Sequence, residues 1–169
     1  MQIPAETAEA LLQAFGVSRA TRAYDRWRKP QGFDLADFDE VLFESPAVIV
    51  LDWRCCLADE ASDFAAAFER CGFPLVFEEL DDESLVLRSH DGSTRPIPAG
   101  QADDSDLEAA FREIQKCLPE GIEIRRSPEN EGSDTSVFAV LRRSDWDVAE
   151  GVAPEVVAHF FCQLSQAES

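Results

Sequence analysis

The sequence predicts an α+β fold: a largely antiparallel sheet of about five strands packed with helices and preceded by a helical N-terminal region. Three observations lead there. Short β-branched apolar runs such as Ala47–Leu51 alternate with stretches whose apolar side chains recur every three to four residues. The later short runs come in pairs separated by turn-forming residues, which favours hairpins over parallel crossover units. At 169 residues, with 45% apolar and 29% charged side chains, the chain can bury a core without a disulfide or metal staple.

Element by element, Ala8, Leu11, Leu12 and Phe15 give a helix over Ala5–Phe15, which Gly16 ends. Ser18 offers an N-cap to a second helix, Arg19–Lys29, stopped by Pro30, and Asp34 caps a third with Leu35, Phe38, Val41 and Leu42 on one face. These pieces form a helical region over residues 1–45, and residues 46–169 form the α+β body. Ala47–Leu51 is apolar on both faces, as in a central strand covered on each side. Leu57–Gly72 follows as a helix buried through Phe64, Ala67, Phe68 and Cys71. Pro74–Leu80 and Ser84–His90 are two strands of a hairpin turning around Asp81-Asp82-Glu83. Arg95–Pro98, with two prolines, can only be an edge strand.

Ser105-Asp-Leu-Glu108 matches a capping box opening a helix to about Leu118. Gly121–Arg126 and Ser136–Arg143 are two further strands, Ser144 or Asp145 starts a short helical turn, and Pro154 opens a last helix to Gln166. Asp63-Phe-Ala-Ala-Ala-Phe68 aligns with Asp106-Leu-Glu-Ala-Ala-Phe111, each helix preceding two strands, so a duplicated α-β-β unit is a secondary reading.

Charge is the unusual property. The net charge is −19, and it is unevenly placed. Residues 1–29 hold Arg19, Arg22, Arg26, Arg28 and Lys29 against Glu6, Glu9 and Asp25, a balance of +2, whereas residues 30–169 sum to −21. Such a field repels phosphate backbones and anionic membranes and attracts basic surfaces. The interleaved basic and aromatic residues of Arg19–Lys29 therefore read as a helix docked on an acidic body, not as an RNA-binding element. No apolar run is long enough to span a bilayer. Glu6 and Glu9 interrupt the first apolar residues with no basic residue before them, so a secretory signal is not expected. The odd set Cys55, Cys56, Cys71, Cys117 and Cys162 has no C-x-x-C pair and fits free thiols in a reducing cytoplasm.

Candidate chemistry is sparse. Val48–Arg54 resembles the nucleophile strand of haloacid dehalogenase-type phosphatases, but Arg54 stands where the general acid would follow Asp52, so that chemistry is not adopted. Cys55 and Cys56, beside Arg54 between a strand and a helix, could hold a lowered thiol pKa; with His90 or His159 as base they define a small-enzyme alternative. His159 with Cys162 is a weak metal pair, and Asp81–Glu83 and Asp103–Asp106 lack calcium-loop spacing, so neither metal nor cofactor is expected. The preferred expectation is a cytoplasmic, non-enzymatic binding module for a basic protein partner, with no nucleic acid and no membrane. In bulk properties it is similar to immunity-type inhibitors and effector chaperones. The candidate contact surface is the acidic hairpin Glu78, Glu79, Asp81, Asp82 and Glu83.

Overall fold

In a computed structural model of the chain, the described residues are 1–18, 32–52, 61–79, 85–88, 92–97, 104–128 and 135–164. The expected helix Arg19–Lys29 and the segment holding Cys55 and Cys56 lie outside them. In chain order the elements are β1 (Gln2–Ile3), α1 (Ala5–Ala14), β2 (Phe33–Asp34), α2 (Leu35–Leu42), β3 (Val48–Asp52), α3 (Ala61–Arg70), β4 (Val76–Glu79) and β5 (Leu85–Arg88). There follow β6 (Thr94–Ile97), α4 (Asp104–Cys117), β7 (Ile122–Arg126), β8 (Thr135–Arg142), α5 (Arg143–Val152), α6 (Pro154–Phe160) and β9 (Cys162–Gln163).

The fold is α+β and every strand pair is antiparallel, but the strands divide among three sheets instead of filling one of about five. The main sheet has the order β3-β8-β7-β9. A second sheet, β4-β5-β6, is a meander, with Pro96 on its edge strand as the missing N–H of proline requires. The third is the short β1–β2 ladder inside the N-terminal region, so that region is not purely helical.

Strand β3 corrects one expectation. It lies at the edge of the main sheet, and Val50 on it is 43% exposed. The strand covered on both faces is β8, where Ser136 to Leu141 are all buried. An apolar run alone does not say which strand is central; pairing order decides it. Strand β8 also separates two cores. Val137, Ala139 and Leu141 face a cluster built from α1, α2, α5 and α6, including Leu11, Phe15, Phe38, Trp146 and Phe160. Phe138 and Val140 face the other way, into a cluster with Phe68 of α3, Phe111 and Ile114 of α4, and Leu85, Leu87 and Ile97 of the meander. The two phenylalanines that aligned in the duplication reading are both fully buried in this second core. The strands that follow them, however, belong to different sheets.

Local signals act as their chemistry dictates, with two exceptions. The Asp34 carboxylate accepts from the Asp37 N–H at 2.9 Å and caps α2. Two arginines close helix C-termini: Arg70 donates to the Ala14 carbonyl at 3.1 Å, and Arg142 to the Cys71 carbonyl at 3.1 Å. Buried Ser45 ties α1 to β3 by donating to the Phe15 carbonyl while accepting from the Ala47 N–H at 3.0 Å. The first exception is α4, which begins at Asp104, so Ser105 falls within its first turn instead of ahead of it. The second is α6, which ends at Phe160, well short of Gln166. Phe161 is extended there (φ −141°, ψ 136°), and Cys162–Gln163 pairs with β7. The backbone hydrogen bonds that more helix would have made are supplied by the sheet. The expected short turn at Ser144 or Asp145 is the ten-residue helix α5. No helix among the described residues is long and apolar enough to cross a membrane.

Candidate interaction surface

The acidic hairpin forms as expected, with Val76 opposite Arg88 and Glu79 opposite Leu85. Glu78 is not a free carboxylate. Arg88 holds it through two parallel hydrogen bonds, Nε to Oε1 at 2.8 Å and Nη2 to Oε2 at 2.7 Å. Those hydrogen bonds pull the Glu78 carboxyl below its ordinary range. Glu79 joins the ladder through its backbone; its side chain, with Asp81, Asp82 and Glu83, lies outside the described residues.

The densest charged constellation among the described residues was not anticipated from sequence. On β7, the buried Arg125 donates to Glu123 at 2.7 Å and to Glu150 of α5 at 2.5 Å. Its guanidinium lies 4.1 Å from the centre of the Trp146 ring. Arg143 pairs with the same Glu123 at 2.6 Å, and the Trp146 indole N–H donates to the Glu123 carbonyl at 3.1 Å. Each carboxylate here already faces a guanidinium. The arrangement clasps α5 onto the main sheet. Its signal in the sequence was only the alternation Glu123-Ile-Arg125, which cannot say that both charges point into a covered face.

Two of the described thiols, Cys71 and Cys117, are made less acidic by their surroundings. Burial pushes the Cys71 thiol up, against the opposing pull of Arg70 and Arg142, and burial likewise raises Cys117. Cys71, Cys117 and Cys162 are free cysteines. His159 packs edge-on against Phe160, its ring centre 4.9 Å away, and Cys162 stands beyond the helix end on β9, so the two do not share one helix face. No group of three or more potential metal ligands comes together among the described residues. The apolar cleft between α1, α2 and α6, lined by Leu11, Phe38, Val157 and Phe160, holds only about 10 Å³, which is no more than a single water needs.

Surplus negative charge is left at the surface. Each basic side chain among the described residues is already engaged: Arg88, Arg95, Lys116, Arg125, Arg126 and Arg143 with carboxylates, Arg70 and Arg142 with helix-end carbonyls, and Arg112 as well. By contrast Glu6, Glu40, Glu44 and Glu155 are exposed and have no partner among the described residues. Glu6 and Glu155 lie in the first turns of α1 and α6, where the helix dipole favours a carboxylate. Glu40 and Glu44 have no such reason. Glu40 stands in the last turn of α2, away from the buried face of Phe38, Val41 and Leu42, and Glu44 in the turn just beyond the helix, with no basic residue in the last helical turn. The negative end of the helix dipole disfavours a carboxylate there, by roughly a few tenths of a kcal/mol. Comparison of the chain with protein-family models, with characterised proteins and with solved structures finds no match to any of them.

Proposed function

We propose that this chain is a non-enzymatic, cytoplasmic binding module that engages a basic protein surface, in the manner of an immunity-type inhibitor or an effector chaperone. The observation that carries the reading is Glu40 and Glu44: two exposed carboxylates with no partner among the described residues, at the C-terminal end of a helix whose dipole disfavours them. Charge retained at a cost to the fold is explained by a ligand that needs it. The wider charge balance supports the same reading, because −19 with the described basic side chains already engaged leaves a field that steers cationic partners and disfavours nucleic acid. Two separate acidic patches are proposed as contact surfaces: Glu40 and Glu44 at the end of α2, and the hairpin residues Glu79, Asp81, Asp82 and Glu83, the α2 core and the meander core lying on opposite faces of β8. Glu78, committed to Arg88, contributes through the hairpin's shape.

The test is affinity capture from lysate of the source cells at low and near-physiological salt, with identification of what is retained. A basic protein should be held, more weakly as salt rises. The Glu40→Gln/Glu44→Gln double variant should bind that protein about tenfold less tightly, equivalent to about 1.4 kcal/mol, while unfolding at slightly higher urea. Retention of no basic protein even at low salt would sink the proposal. So would a double variant that binds as well as the parent, provided changes at Glu79, Asp81, Asp82 and Glu83 are equally silent.

A further inference from the structure

We draw no further inference here: the strongest candidate, the outward face of the three-stranded meander where exposed Val76 and half-buried Val86 flank the Glu78–Arg88 pair, is an uncovered sheet face, and nothing in the structure shows what covers it.

Discussion

The Arg125 guanidinium lies over the Trp146 ring, 4.1 Å from its centre, with its side chain only 5% exposed. A cation so thoroughly removed from water is stable only because Glu123 and Glu150 accept from it. The two carboxylates are unequal, Glu123 being 15% and Glu150 43% exposed. Arg125→Ala, which leaves Glu123 with only the exposed Arg143 as a partner and uncovers the Trp146 ring, should cost about 2–3 kcal/mol in urea unfolding. Glu150→Gln, at the wet end of the same clasp, should cost less than about 1 kcal/mol. Equal losses would show that the clasp is not organised around the buried end.

Phe111 and Phe138 stack with ring centres 4.0 Å apart and planes 15° from parallel, both buried, and they join α4 to the central strand β8. Phe111→Ala should remove about 3–5 kcal/mol of stability, since it deletes apolar area and opens a cavity in a fixed frame. Phe111→Leu should recover much of that loss. If the alanine variant unfolds at nearly the parent's urea midpoint, the second core is not packed as described.

Gly32 and Gly92 both have positive φ, at +110° and +81°, yet they should differ sharply when replaced by alanine. A Cβ at Gly32 would run into the Ile3 backbone carbonyl across the β1–β2 ladder, whereas at Gly92 it meets nothing within 4 Å. Gly92→Ala should therefore show only the backbone cost of about 1 kcal/mol. Gly32→Ala should cost clearly more and should expose the N-terminal ladder to hydrogen exchange. Thermal melts of the two variants, side by side, decide the matter.

The pH response on the acid side follows from carboxyls held low by their partners. Glu78 is lowered by hydrogen bonds from Arg88, and Glu113 by Lys116 first and Arg95 second. A carboxyl whose folded pKa is depressed contributes stability above its ordinary value, near 4.5, and loses it as the pH falls through the folded value. Arg88→Ala should move the Glu78 titration, followed by NMR, upward toward that ordinary value. A Glu78 titration unchanged by Arg88→Ala would contradict the bidentate pair. Stability itself should respond weakly, because both pairs are largely solvated.

On the alkaline side the buried Cys71 acts in the opposite direction. Its thiol is raised above the ordinary value of 9.0 by burial. The stability linked to its protonated form is therefore present below pH 9 and is lost as the pH rises through the folded value. Native Cys71 should resist iodoacetamide near pH 8 and become reactive only in denaturant. Rapid alkylation of Cys71 in the folded protein would mean that α3 does not cover it as described.

Much of the architecture was legible because it is written locally. The stripe Ala8, Leu11, Leu12 specified α1, Asp34 specified the start of α2, and the two apolar runs around residues 80–84 specified the β4–β5 hairpin. What was not legible depended on partners distant in sequence. Val48–Asp52 has the composition of a central strand, and only its pairing with β8 alone reveals it as an edge. The end of α6 is set by β7, which offers Cys162 and Gln163 a ladder. The same limit governs the surface. Glu78 looks like one of several free acids until the strand register brings Arg88 onto its face. Glu40 and Glu44 look like ordinary solvated residues until each basic side chain among the described residues proves to be engaged elsewhere.

The position of β8 has a consequence for synthesis on the ribosome. Val48 pairs with Ala139 and Asp52 with Thr135, so β3 is completed by a strand made much later. Leu11, Phe15 and Phe38 pack in a core that also needs Val137, Ala139 and Trp146. The N-terminal third of the chain therefore waits, with its apolar residues unshielded, until residues 135–146 have left the exit tunnel, while β7 and β8 can pair with each other as soon as they emerge. Truncated nascent chains should become protease-resistant in one late step and not gradually from the N-terminus.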